Sequence, residues 1–331
     1  MKPIYIVSLL FACGHFAHSA SEAQTDLCKE YLQLGKNDAA IAECTRQIDV
    51  NPESERMVPS YINRGNAYGA KGKLDRAITD FNKAIELDPK SATAYQKRGF
   101  AYSIKGQLDQ TIADCTKAIE LNPKDAASYY YRGNAYIDKG QLEKAIADFT
   151  KSIELNPKVA PAFFYRGNAY KATGQSDQAI ADYSKAIELQ PESADVYYNR
   201  GITYKAKGEL DKAIADYSKT IELNPKSAEV YTNRGTTYAA KGQLNHAIAD
   251  FTKAVELNPK DVLAYSNRGT AYSVKGQFDQ AIDDYTKAIE LNPKYAIAYN
   301  DRGSAYASKG FLENAITDFD KSIELNPLAG S

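Results

Sequence analysis

Arginine returns every 34 residues, at Arg64, Arg98, Arg132, Arg166, Arg200, Arg234, Arg268 and Arg302. Aspartate keeps the same step at Asp80, Asp114, Asp148, Asp182, Asp216, Asp250, Asp284 and Asp318. A guanidinium brought against a carboxylate makes a two-pronged ion pair, the expected role where an arginine is forced toward a packing seam. A row of guanidiniums holding an anionic ligand is the sharper alternative. Little else in the chain could do chemistry. Three histidines occur (His15, His18, His246), a poor inventory for a metal site or a histidine-based catalyst. No glycine-rich phosphate loop, metal cluster or nucleophile–histidine–acid set is present, so the sequence predicts no enzyme, no metal and no cofactor. Lys83 and Glu86, with their equivalents, stand three residues apart and read as solvated helix support.

The elements that must position these residues repeat with them. The stretch AYQKRGFAYSIKGQLDQTIADCTKAIELNP (residues 94–123) returns as AYSNRGTAYSVKGQFDQAIDDYTKAIELNP (residues 264–293) and in six other copies. A fixed period of this length marks a stacked array whose units bury apolar faces against their neighbours. With Val58 as position 1, each unit carries an aromatic at position 4 (Tyr61 through Tyr299), glycine at 8, tyrosine at 11 and a second glycine at 15. Small residues follow at 20, aromatics mostly at 24, and proline at 32. Spacings of three and four on either side of the second glycine place the apolar residues on one stripe of each of two helices. Glycine at position 15 supplies the break and Asn-Pro stops the second helix. The fold class is therefore all-α, a solenoid of antiparallel helix hairpins.

Charges nearly balance, for a formal net charge of −1, which argues against a nucleic-acid or acidic-membrane binder. Residues 1–23 read as a secretory leader: Lys2, an apolar run over residues 4–12, then small residues. Cleavage before Gln24 is expected, with lipidation of Cys13 as the alternative; either makes the protein exported, periplasmic or secreted, with a membrane tie only through Cys13. Residues 24–55 form a degenerate capping unit, 56–327 eight regular units, and 328–331 a short tail. In the cap, Cys28 falls at position 8 and Cys44 at position 24, which face each other in a hairpin folded about Gly35. Close-packed helices bring such Cα atoms within disulfide reach, and an exported protein keeps the bond; two buried thiols are the alternative. Cys115, at an apolar position, reads as an inert core thiol.

The pattern resembles the tetratricopeptide repeat family, on Tyr95, Arg98, Gly99, Tyr102, Thr111, Cys115 and Pro123 of the quoted copy. Tyrosine or phenylalanine at position 4 and arginine at position 7 replace the family's tryptophan and leucine. The resemblance implies a right-handed superhelix whose first helices line a concave groove for a peptide or partner protein. By that analogy positions 2, 5, 9 and 12 face the groove. The predicted partner-binding residues are Phe100, Tyr130, Asn134, Ile137, Phe164, Asn168, Lys171, Tyr198, Ile202 and Lys205. Aromatic and aliphatic members would anchor, asparagines would bond a peptide backbone, and lysines would hold an acidic group. Simple packing of the position-5 aromatics on their neighbours is the competing reading. Position 5 carries no lysine, so the family's carboxylate grip is not reproduced. The expected function is a non-catalytic binding scaffold. The alternative is a self-assembling solenoid, a homo-oligomer joined through its last unit, where the sequence stops without an extra capping helix; a truncated longer chain would end the same way.

Overall fold

The computed structural model describes residues 26–326; the leader with Cys13, and the tail, lie outside them. The described residues are helical throughout and cluster into two compact units, residues 26–173 and 174–326. The first holds α1 (Leu27–Gln33), α2 (Asn37–Val50), α3 (Val58–Ala70), α4 (Leu74–Leu87), α5 (Ala92–Ile104), α6 (Leu108–Leu121), α7 (Ala126–Asp138), α8 (Leu142–Leu155) and α9 (Ala160–Ala172). The second holds α10 (Ser176–Leu189), α11 (Ala194–Ala206), α12 (Leu210–Leu223), α13 (Ala228–Ala240), α14 (Leu244–Leu257), α15 (Val262–Val274), α16 (Phe278–Leu291), α17 (Ala296–Ser308) and α18 (Leu312–Leu325). Within each unit consecutive helices pack as antiparallel hairpins, and each hairpin packs on the next.

Two glycines per repeat explain the hairpin. Gly72 sits between α3 and α4 at φ 72°, left-handed backbone that a side chain resists. Gly65 is helical, and a Cβ there would stand 2.6 Å from Cε1 of Phe81 on α4. Glycine at position 8 is thus the socket for the position-24 aromatic, and Phe81, Phe149, Tyr217, Phe251 and Tyr285 are buried in such sockets. Alanines at position 20, such as Ala77 and Ala145, let the two helices approach. Second helices end where the backbone leaves the helical region before proline, as at Asn156, extended at φ −143°. The three residues added between the cap and the first regular hairpin lie around a single 3-10 turn, Glu55–Met57.

Cys28 and Cys44 are joined by a disulfide, with Cα atoms 5.2 Å apart across α1 and α2. For a sequence separation of 16 residues such a bond contributes about 3 kcal/mol. Reduction is therefore expected to loosen the cap by about that amount. Thiol labelling of unfolded, unreduced protein starting at Gln24 should find one cysteine, Cys115; three would remove the bridge. Native protein should label at none. Cys115 is fully buried, and burial raises its thiol pKa far above the ordinary range.

Candidate functional site

Within each unit the repeating arginines meet their aspartates. Arg132 donates from Nε and Nη2 to the two carboxylate oxygens of Asp148, each at 2.8 Å. The same fork closes between Arg64 and Asp80, Arg98 and Asp114, Arg200 and Asp216, Arg234 and Asp250, Arg268 and Asp284, and Arg302 and Asp318. The remaining nitrogen reaches back to the preceding hairpin, as Arg132 Nη1 to Thr116 Oγ1 at 3.0 Å. Aromatic rings at positions 4 and 11 flank most of these guanidiniums; Arg98 lies 5.6 Å from the Tyr95 ring and 5.9 Å from that of Tyr102. These arginines are consumed in holding hairpins together and are not arranged as a ligand ladder.

The site is left to the side chains that differ between hairpins. In the first unit, α5, α7 and α9 contribute Phe100, Tyr130, Asn134, Ile137, Phe164, Asn168 and Lys171. Phe100 and Ile137 pack, partly buried, against the cluster that contains Tyr130, Tyr131 and Phe149. Tyr130 is not an exposed anchor: it is only 5% accessible, with rings of Tyr131, Phe149 and Tyr165 at 5.5, 6.0 and 6.1 Å. The cluster also holds Cys115, the small thiol that α6 has where the other regular hairpins put an aromatic at position 24, and it is Tyr131 that stands beside that thiol. Phe164 remains half-buried, 5.2 Å from the ring of Tyr165. The Oδ1 of Asn134 is buried without a described hydrogen-bond partner. Asn168 and Lys171 are half-buried, and burial holds the Lys171 ammonium below its ordinary pKa.

In the second unit Tyr198 and Ile202 pack beside Tyr217 and Val230. The Tyr198 hydroxyl donates to Glu229 at 2.5 Å and accepts from Asn233 Nδ2 at 2.8 Å. Burial, then the Glu229 carboxylate, raises its pKa. Lys205 donates to Thr236 Oγ1 at 2.6 Å, and burial lowers its pKa. Sequence reasoning missed Glu229 and Asn233, which reading positions 2 and 6 down the repeats would have found. Position 6 runs Asn199, Asn233, Asn267 and Asp301 over α11, α13, α15 and α17. The Asp301 carboxyl is raised by burial and accepts from Asn300. In the late hairpins Leu263 and Ile297, at position 2, are more than half exposed. Such amides, hydroxyls and apolar tips can hold a peptide segment. Among the described residues no group of three or more His, Cys, Asp or Glu side chains could hold a metal, and no helix is long and apolar enough to cross a membrane.

Comparison with known families gives one consistent result. Models described as tetratricopeptide repeat match residues 92–125, 126–159, 194–227, 228–261 and 262–295, with a related model at 149–181 and another at 296–327. A model described as TPR repeat matches 65–106 and 167–208. No curated protein matches the chain. Among solved structures, the chain is 28% identical to YrrB, titled a TPR protein with an unusual peptide-binding site, with TM-score 0.52 over 56% of this chain and 95% of that one. MamA is 30% identical with TM-score 0.48, over 49% of this chain and 94% of that one. A double mutant of MamA RS-1 is 21% identical with TM-score 0.50, over 52% and 96%.

Proposed function

The chain belongs to the tetratricopeptide repeat family, and on that premise we propose that it is a non-catalytic scaffold that binds peptide segments of partner proteins on the first helices of its hairpins. One observation carries the reading. Positions fixed from repeat to repeat are spent on packing and ion pairs, whereas the half-exposed positions of the first helices change from hairpin to hairpin. The YrrB likeness, with the peptide site its title names, supports the same reading. In the first unit Phe164 would supply an apolar contact; in the second, Asn233 and Lys205 would supply hydrogen bonds. Export is supported by the leader-like residues 1–23 and by the Cys28–Cys44 bridge, which persists in oxidising compartments.

Peptides selected from a display library on the full chain test this. At least one class should bind more than tenfold weaker to Phe164→Ala or to Asn233→Ala/Lys205→Ala, with folding retained by circular dichroism. Selected peptides indifferent to both variants, or no selected peptide at all, would sink the proposal.

A second reading, association of two copies, is favoured by α18. Leu312, Ile316 and Ile323 form one stripe there and are 63%, 59% and 55% exposed. Their counterparts Ile78 and Ile85 on α4 pack against neighbouring helices. Growth of the light-scattering mass with concentration would favour it, and a constant monomer mass would reject it.

A further inference from the structure

In an array whose packing positions repeat, departures from the repeat mark places under another demand. In the first unit several converge on one cavity of about 240 Å³ bounded by α3, α4 and α5. Buried Ala77 and Phe81 line it, with Phe100 beside them and half-exposed Ile104 toward solvent. Gly69, in the last turn of α3, keeps it open. Other hairpins carry Ser103, Ile137, Lys171, Lys205, Ala239, Ser273 or Ala307 at that position. Packing does not require this glycine: a Cβ at Gly69 would meet nothing within 4 Å, unlike the Cβ that Phe81 forbids at Gly65. Nor is Gly69 among the glycines with positive φ. A helix weakener thus stands where alanine would fit, and the space it leaves is apolar.

The surroundings are basic. Lys97 lines the cavity at position 6, where the other regular hairpins have asparagine, tyrosine or aspartate. A shallow depression shares Gly72 and Leu74 with the cavity and is lined by Lys73, Arg76, Lys105 and Asp75. Lys105 is paired with Asp75 at 2.5 Å. Lys73 occupies a position that holds glutamine, glutamate or phenylalanine in the other regular hairpins. Lys73 and Arg76 are exposed, so the mouth is positive in a chain whose formal net charge is −1.

We propose that this cavity is the anchoring pocket for an acidic segment of a partner protein. One bulky apolar side chain enters between Gly69 and Phe100, and flanking carboxylates face Lys73, Arg76 and Lys97. The volume lies below the roughly 300–1,000 Å³ of cofactor and metabolite pockets and suits a single large side chain. An apolar anchor in a small pocket concentrates affinity, and the basic rim selects among segments and speeds encounter. The inference rests on the peptide-binding reading and gives it a site and a partner chemistry.

The probe is a fluorescent peptide, Glu-Asp-Phe-Asp-Glu, blocked at both ends so that no terminal carboxylate contributes, titrated against the full chain by anisotropy. It should bind saturably. Replacing its phenylalanine by alanine, or its acids by lysine, should each weaken binding at least tenfold. Gly69→Leu should fill the cavity and weaken binding at least tenfold without lowering the thermal midpoint. Lys73→Glu/Arg76→Glu, both on exposed positions, should weaken it as much and reduce its salt dependence. Failure of the probe to bind, equal binding without the phenylalanine, or indifference to Gly69→Leu overturns the pocket. Library-selected peptides lost by Phe164→Ala or Asn233→Ala/Lys205→Ala but untouched by Gly69→Leu would overturn it while leaving the wider binding function standing. A chain that selects no peptide removes both.

Discussion

Asp148→Ala is expected to destabilise the helices around it by about 3–5 kcal/mol, the scale for removing one partner of a buried ion pair. Asp148 is 6% exposed and takes both Nε and Nη2 of Arg132 at 2.8 Å. Without it the guanidinium keeps Thr116 and the faces of Tyr129 and Tyr136 but loses its only carboxylate contact among those described. Truncating both partners, Arg132→Leu with Asp148→Leu, should recover much of the loss, since a buried pair is worth little against well-packed apolar side chains. Glu154→Ala is the control. It removes the exposed Lys151–Glu154 contact at 2.9 Å and should cost a few tenths of a kcal/mol. Urea unfolding with hydrogen exchange over α7 and α8 reads these differences; a loss under about 1 kcal/mol for Asp148→Ala would show that the pair is not structural.

Phe149→Ala should cost about 3–5 kcal/mol, the range for deleting a fully buried aromatic. Its ring fills the socket made by Gly133, where a Cβ would approach to 3.0 Å. It also stacks on Tyr165 at 6.2 Å and stands 6.0 Å from Tyr130. The deletion therefore opens a void beneath the aromatic cluster of the first unit, and amide exchange should quicken in α7 and α9 as well as α8. Gly133→Ala alone should destabilise by crowding the ring. Combined with Phe149→Ala it should cost less than the sum, because the added methyl then occupies the void. Additive costs would mean that glycine and ring do not share the contact seen here.

Much of this was legible in the residues. A step of 34 repeated without drift fixes which positions of each hairpin meet, because every hairpin must solve the same packing problem. Glycine at position 8 and an aromatic at 24 name a socket and its plug. Arginine at 7 and aspartate at 23 can recur together only if each serves the other. Cysteines at positions 8 and 24 of the cap fall on the socket and plug positions, which explains the pairing of Cys28 with Cys44.

The positions that vary were less legible, because periodicity says which face a side chain occupies and not what its neighbours leave for it. Tyr130 shares position 5 with Phe164 and Tyr198, yet the rings of Tyr131, Phe149 and Tyr165 close around it in the core. Lys205, at a groove position, also donates to Thr236 of the next first helix, a contact that spacing alone does not reveal. Gly69 reads as a harmless small residue until the surrounding helices show that its missing side chain is the opening of a cavity. The sequence by itself determined the hairpin, its period and which positions face each other across it, since those follow from local spacing repeated many times. Only the tertiary structure decided which variable residues are core and which are surface, since that depends on volumes summed across three or four helices, and no single repeat contains that sum.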